Sequence, residues 1–355
     1  MNPKTYFSRM RETSEAVDEV IFKSLEPLKQ QNSGMYDAVA TLPEKRKGLP
    51  KVRAHIAREA YAICNWSDSN SNWVDLAAAV ELTLNEMYYK NQIFDSKAGC
   101  SNNDKERLVE NWTADSYSRD LAEQVLRENY AEKPELIDIL RESNMIFTRG
   151  EYLDVLQNTY SEVKDLSFEK QMKLCTQRIY EINASFFEKC AKMGAILAGE
   201  TNDSKIQALS EFGRDYGTAL QIVNDIADFV PPRLNRGTTE KTNNDAYADV
   251  KTQKMTFPVI WLLNKGSEDN KKLLIDIFEK GSNVGLPQLE ELTKVLVKSG
   301  AIDFAKGKAK WYAHEAKRSL KGTFSNKNER GNLSAMCSMA YKNRYYDALK
   351  EFEGE

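Results

Sequence analysis

Histidine is almost absent from this chain of 355 residues: there are two, His55 and His314, far apart. A histidine-ligated zinc site or a histidine-based catalytic triad has almost nothing to work with. Proline (9) and glycine (17) are scarce as well, and the stretch from Lys51 to Val230 holds a single proline, Pro134. A sheet protein of this size needs many more turn formers, whereas long helices joined by short polar links need few. The five cysteines (Cys64, Cys100, Cys175, Cys190, Cys337) are odd in number and contain no Cys-x-x-Cys pair, so they read as reduced thiols that mostly pack between helices. There is no basic excess: 50 Lys and Arg face 53 Asp and Glu, for a net charge of −3. That balance argues against a dedicated nucleic-acid binder. Long apolar runs are missing too. The mean hydropathy is −0.60, and a run such as Pro258-Val-Ile-Trp-Leu-Leu263 is far short of a membrane span. The first fifteen residues lack the apolar core of a secretory signal. The expectation is a cytoplasmic chain with no transmembrane segment.

What is present is helical periodicity. Trp73, Leu76, Ala77, Val80, Leu84, Met87 and Tyr88 recur at three- and four-residue spacing. So do Phe186, Cys190, Met193 and Leu197, and then Phe212, Tyr216, Leu220, Val223 and Ala227. Gly150, Gly194, Gly199, Gly213 and Gly217 fall within or beside these patterns, where each costs about 1 kcal/mol relative to alanine. Close helix–helix approach is the expected compensation, with a cap or a bend equally open for Gly150 and Gly199. Polar stretches at 67–72, 96–105, 199–204, 231–245, 266–271 and 321–330 are short enough to be loops within one bundle. Ser167 and the pair Asn202 and Asp203 have the character of helix caps. No composition shift or repeat divides the chain, so residues 1–355 read as one all-α domain of ten to thirteen helices.

The chemistry concentrates in one segment. On a helix, Gln221, Asn224, Asp225 and Asp228 fall at i, i+3, i+4 and i+7 and share a face. Two carboxylates and two amides projecting together from an otherwise apolar helix are costly unless something binds them. A hard divalent cation, magnesium above all, takes such oxygen ligands and shares them with phosphates. A solvated acidic face is the plain alternative. The flanks favour the cation: Pro231-Pro232 and a basic loop follow, then Asp249, Lys254, Thr256 and Pro258.

Gly213, Gly217, Gln221, Asn224, Asp225 and Asp228, followed by Asp249, Lys254, Thr256 and Pro258, resemble the second half of the trans-isoprenyl diphosphate synthases, the family of farnesyl and geranylgeranyl diphosphate synthases. Gly194-Ala-Ile-Leu-Ala-Gly199 resembles a helix segment of that family, Gly150-Glu-Tyr-Leu-Asp154 resembles one of its turns, and Gly48-Leu-Pro-Lys51-Val-Arg53 stands where it has a glycine-rich basic motif. The resemblance is strongest over 40–265. It implies a helical bundle of isoprenoid-synthase type around a central cavity, magnesium ions, an allylic isoprenyl diphosphate substrate and a prenyltransferase that forms homodimers or heterodimers with a homologue. It implies metal-ligand roles for Asp225, Asp228, Asn224, Asp95 and Asp249. Lys51, Arg53, Gln221, Asn91, Gln92 and Lys254 would contact substrate, and Asp225, Asp228 and Lys254 would carry the reaction.

The first half departs from the family pattern. Where the family has Asp-Asp-x-x-Asp, this chain has Asn91-Gln92-Ile93-Phe94-Asp95. Each carboxylate replaced by an amide forgoes up to about 4 kcal/mol of attraction at 4 Å, an upper bound. The arginine pair expected downstream is missing, with Lys97 the nearest cation. Where the family has a lysine–threonine pair for the allylic diphosphate this chain has Ile182-Asn183, and where it has the basic-motif lysine this chain has Pro50. Four altered diphosphate contacts point towards changed or lost chemistry. Three readings stand: a prenyltransferase acting on isopentenyl diphosphate or an unusual acceptor, a class I terpene synthase-like enzyme, and a non-catalytic or regulatory partner subunit. Elsewhere, Glu86 and Lys90 read as a surface i,i+4 pair, and Asp115, Arg119 and Asp120 as a solvated face.

Overall fold

The computed structural model describes residues 3–65, 72–95, 102–234, 246–324, 330–339 and 343–352. Much of the expected loops at 67–72, 96–105, 231–245 and 321–330 therefore lies outside the described residues, as do Lys97 and Cys100 and the side chain of Asp95. Among the described residues there are seventeen α-helical segments and no β-strand; a single isolated bridge joins Thr159 and Lys254. The expected ten to thirteen is too few because segments such as Tyr160–Val163, Ala248–Lys251 and Arg344–Leu349 are too short to show a helical period. No helix among the described residues is long and apolar enough to cross a membrane.

The chain groups into two compact units: Met1–Thr148 with Ser185–Arg214 and Lys317–Ala335, and Arg149–Ala184 with Asp215–Ala316 and Met336–Glu355. Four of the five crossings fall inside helices, where no linker composition could mark them, and this is why the sequence shows no boundary.

The first unit is built from α1 (Pro3–Gln31), α2 (Ser33–Lys45), α3 (Val52–Asn65), α4 (Val74–Asp95), α5 (Asn102–Asn129) and the start of α6 (Glu135–Leu156). After the short α7 (Tyr160–Val163) and α8 (Phe168–Ile179) of the other unit, it resumes with α9 (Ser185–Leu197) and the first half of α10 (Asp203–Ala227). Helix α9 lies against α3, and the contact depends on a missing side chain: a Cβ on Gly194 would stand 2.2 Å from the carbonyl oxygen of Ala57. Close approach thus accounts for Gly194, whereas Gly199, at φ +78°, ends its helix in the left-handed region.

The second unit gathers the end of α6, α7, α8, the rest of α10, α11 (Ala248–Lys251), α12 (Phe257–Lys265), α13 (Glu268–Lys280), α14 (Leu286–Lys298) and most of α15 (Ala301–Thr323). The short α16 (Gly331–Met339) and α17 (Arg344–Leu349) close the chain. Its core is one apolar cluster that includes Ile222, Val223, Ile226, Phe229, Phe257, Ile260, Leu274 and Leu292. The apolar face of α10 is therefore locked in place, which fixes the direction in which its polar residues point. Gly150, expected in a turn, lies within α6, and a Cβ there would stand 2.7 Å from that of Glu181. The glycine lets the two segments close up, and the uninterrupted helix carries Asp154 one turn further on.

Candidate active site

The last turns of α10 hold the second acidic motif, and its residues do not share one environment. Asn224 is exposed, whereas Asp225 and Asp228 are each 1% exposed. Gln221 donates from Nε2 to Asp225 Oδ1 at 2.9 Å, one turn apart as the spacing requires. The other oxygen of Asp225 accepts from a residue that sequence alone does not single out: Arg178 on α8 donates from Nη2 at 2.6 Å. Its Nη1 donates to Asp154 Oδ1 at 3.0 Å. Asp154, at the end of α6, completes its own pairing through Oδ2, 2.6 Å from Lys254 Nζ.

These groups set each other's charge. Burial opposes a charged Arg178, but Asp225 and Asp154 outweigh it and hold the guanidinium protonated well beyond its ordinary range. Burial likewise works against Lys254, while Asp249 (3.6 Å) and Asp154 hold its ammonium pKa above lysine's usual value. For Asp225, burial pushes the carboxyl up and the neighbouring guanidinium pulls it down, with burial the larger effect. Burial also pushes the Cys175 thiol, one turn before Arg178, up to about 12, so it is an inert packing group.

Asp228 does a different job. Its side chain accepts from the backbone N–H groups of Ala248 (3.1 Å) and Asp249 (3.2 Å), and its carbonyl oxygen from that of Tyr247 (2.9 Å). A carboxylate taking the first amides of α11 caps that short helix. The returning segment is held in an unusual shape: Tyr247 and Gln253 both have positive φ, 63° and 60°. The Tyr247 hydroxyl hydrogen-bonds Thr293 Oγ1 at 2.9 Å, and the Gln253 side chain donates to the carbonyl of Phe278 at 3.0 Å, which keeps the strained backbone in place. Asn158 brackets Met255 with two hydrogen bonds of 3.0 and 3.1 Å, setting Lys254 beside Asp154.

A magnesium ion does not fit these donors as they stand. Both oxygens of Asp225 and both of Asp154 already receive hydrogen bonds or ion pairs, and Asp228 is spent on backbone amides. Among the described residues, no group of three or more His, Cys, Asp or Glu is arranged to hold a metal.

Apart from Ile182 and Asn183, which belong to the second unit, the remaining expected residues lie in the first. Lys51 is buried, with Nζ 2.7 Å from Asp18. The Arg53 guanidinium lies over the Phe187 ring, 4.3 Å from its centroid. Asn91 and Gln92 are half-buried near the end of α4. Ile182 and Asn183 fall on a π-helical turn, Tyr180–Ala184, from which Asn183 donates to the carbonyl of Gly217 at 2.8 Å. Two expectations are overturned here. Glu86 is fully buried rather than on the surface: it accepts from Lys90 at 3.1 Å and from Asn144 at 2.7 Å, and burial pushes its carboxyl up to about 7. Asp115 is also buried, with Lys90 3.8 Å away. The helical period places both on faces that neighbouring helices cover, which charge alone does not reveal.

Comparison with known proteins agrees with this architecture. The sequence model of the family described as polyprenyl synthetase matches residues 115–295. A geranylgeranyl diphosphate synthase of Methanosarcina mazei is 29% identical over 177 residues, 47% of this chain and 50% of that protein. An octaprenyl diphosphate synthase of Haemophilus influenzae is 23% identical over 185 residues, 52% of this chain and 51% of that protein. The chain thus spans about half the length of the curated relatives it matches. Among solved structures, a geranylgeranyl pyrophosphate synthetase from Pyrococcus horikoshii superposes with a TM-score of 0.76 at 20% identity, covering 96% of this chain and 99% of that one. A geranylgeranyl pyrophosphate synthase from Corynebacterium glutamicum, solved with isoprenyl diphosphate and magnesium, gives 0.78 at 16% identity, covering 94% and 99%.

Proposed function

The chain belongs to the polyprenyl synthetase family, and from that premise we propose that it is a prenyltransferase, taking an allylic isoprenyl diphosphate and passing the prenyl group to isopentenyl diphosphate or an unusual acceptor. The observation that carries this reading is Lys254. Its ammonium is held charged by Asp154 and Asp249, and its side chain retains 15% exposure at the edge of an otherwise buried cluster. Loss of diphosphate from an allylic carbon builds negative charge on the leaving oxygens, and a fixed cation at that point lowers the barrier. Exposed Asn224 and half-buried Gln221 lie on the same helix end as further polar contacts. In the first unit, Arg53, Asn91 and Gln92 are substrate contacts only by the family resemblance, while Lys51 is held by Asp18. Magnesium, which the family resemblance implies, neutralises a departing diphosphate when bound. The second motif as it stands does not fit it. A cytoplasmic location and assembly as a homodimer, or as a heterodimer with a homologue, belong to the same proposal.

One observation favours a second reading, a partner subunit that binds isoprenyl diphosphate without ionising it. The carboxylates of the second motif are already satisfied inside the protein, and the first motif carries amides at Asn91 and Gln92. A single assay separates the cases. The chain is incubated with allylic diphosphates of increasing length, with and without isopentenyl diphosphate and with and without magnesium. A longer diphosphate, reduced about a hundredfold in Lys254→Met, is the expected result. A hydrocarbon product assigns terpene synthase-like chemistry, and binding without any product assigns the partner role.

A further inference from the structure

Arg178 lies deep in the second unit between two equally hidden acids: its side chain is 2% exposed, that of Asp154 4% and that of Asp225 0%. The two acids come from different helices, α6 and α10, and the guanidinium joins them through separate nitrogens at 3.0 and 2.6 Å. Gln221 occupies the second oxygen of Asp225 and Lys254 the second oxygen of Asp154. We propose that Arg178 is the resident counter-cation of the second acidic motif, standing where a divalent ion would otherwise bridge Asp154 and Asp225, so that the native chain binds no divalent cation at Asp225.

The chemistry of the two cations supports the assignment. A guanidinium stays charged at any attainable pH and reaches two carboxylates with its planar fork at hydrogen-bond distance. Magnesium demands oxygens at about 2.0–2.1 Å in a near-octahedral shell and retains several of its waters. Every oxygen of the two acids already carries a contact, and an ion placed there would stand directly beside the Arg178 guanidinium and, at Asp154, the Lys254 ammonium, with only two carboxylates to offset them. Expelling Arg178 strips a buried charge of both its acids, which a protein interior strongly disfavours. The inference concerns cation occupancy in the absence of any diphosphate, so it stands or falls separately from the prenyl-transfer reading.

The test is thermal melting of the full chain in chelator and in millimolar magnesium or manganese. Wild type is expected to melt at the same temperature in both. Arg178→Gln, which leaves Asp154 and Asp225 facing each other without their shared cation, is expected to melt lower in chelator and to regain about 3–6 °C on adding the ion. Removing Asp225 as well, in Arg178→Gln/Asp225→Asn, is expected to abolish that gain. A saturable rise in wild type that disappears in Asp225→Asn overturns the proposal, and so does a folded Arg178→Gln that gains nothing. Should Arg178→Gln not fold, wild-type crystals soaked in manganese decide by anomalous scattering. A peak within ligand distance of Asp225 overturns the proposal, and its absence there supports it.

Discussion

Glu86 on α4 and Asp225 on α10 are both carboxylates buried inside helical packing, one in each unit, yet their partners differ in kind. Glu86 meets the ammonium of Lys90, whose side chain is 17% exposed, and a neutral amide from Asn144. Its carboxyl is left near pH 7, with burial the dominant cause. Asp225 meets a guanidinium as deeply buried as itself and an amide from its own helix. The first arrangement leaves a proton free to come and go at physiological pH. The second sets the same burial penalty against a cation that does not titrate, so within that pair only the acid can change its charge. Two acids with similar burial, both pushed up by it, thus meet a partly exposed ammonium in one unit and, in the other, a buried guanidinium shared with Asp154.

The comparison can be broken by mutation. The largest effect is expected from Arg178→Gln, which removes one side of a buried ionic cross-link and should cost about 3–5 kcal/mol in chelator. Urea denaturation should show a loss at both pH 6 and pH 8, the larger at pH 8. Arg178 is what pulls the buried Asp225 carboxyl down, and the acid left without it is more readily protonated at the lower pH. No loss at either pH contradicts the cross-link. Next comes Glu86→Gln. A carboxyl raised from 4.5 to about 7 stabilises the folded state fully below pH 4.5, and the contribution is lost as pH rises through 7. Wild type should therefore lose about 3 kcal/mol relative to Glu86→Gln between pH 4.5 and 8. Parallel melting curves across that range would show that Glu86 does not titrate as described. The smallest effect is expected from Asp228→Asn, which leaves one of the two α11 amides without its carboxylate acceptor. A cost of about 1–2 kcal/mol follows, with faster amide exchange at Ala248 and Asp249 as the local readout.

Much of this was legible in the chain itself. The periodic apolar residues identify the long helices, and the i, i+3, i+4, i+7 spacing singles out the end of α10. Gly194 announces a close contact, which the carbonyl of Ala57 supplies. Lys254 stands out as the cation beyond the second motif, and it does join the cluster. Other parts were not legible, for one physical reason. Arg178 lies 24 residues from Asp154 and 47 from Asp225, on a helix whose other faces are polar enough to pass for surface. Glu86 and Asp115 read as solvated because a charged residue in a helical pattern usually is, and only the helices packed over them reverse that. The crossings between units lie mostly within helices and leave no trace in composition.

Helix formation and facing are decided by near neighbours, so scarce proline, regular apolar spacing and the clustered acids were enough to establish an all-α protein and to mark where its chemistry gathers. Which charge meets which acid depends on contacts between segments far apart in sequence. Desolvation makes those contacts decisive, and it acts only once the helices have packed. The pairing of Asp225 with an internal arginine, rather than an open face waiting for a cation, was therefore settled by the tertiary structure alone.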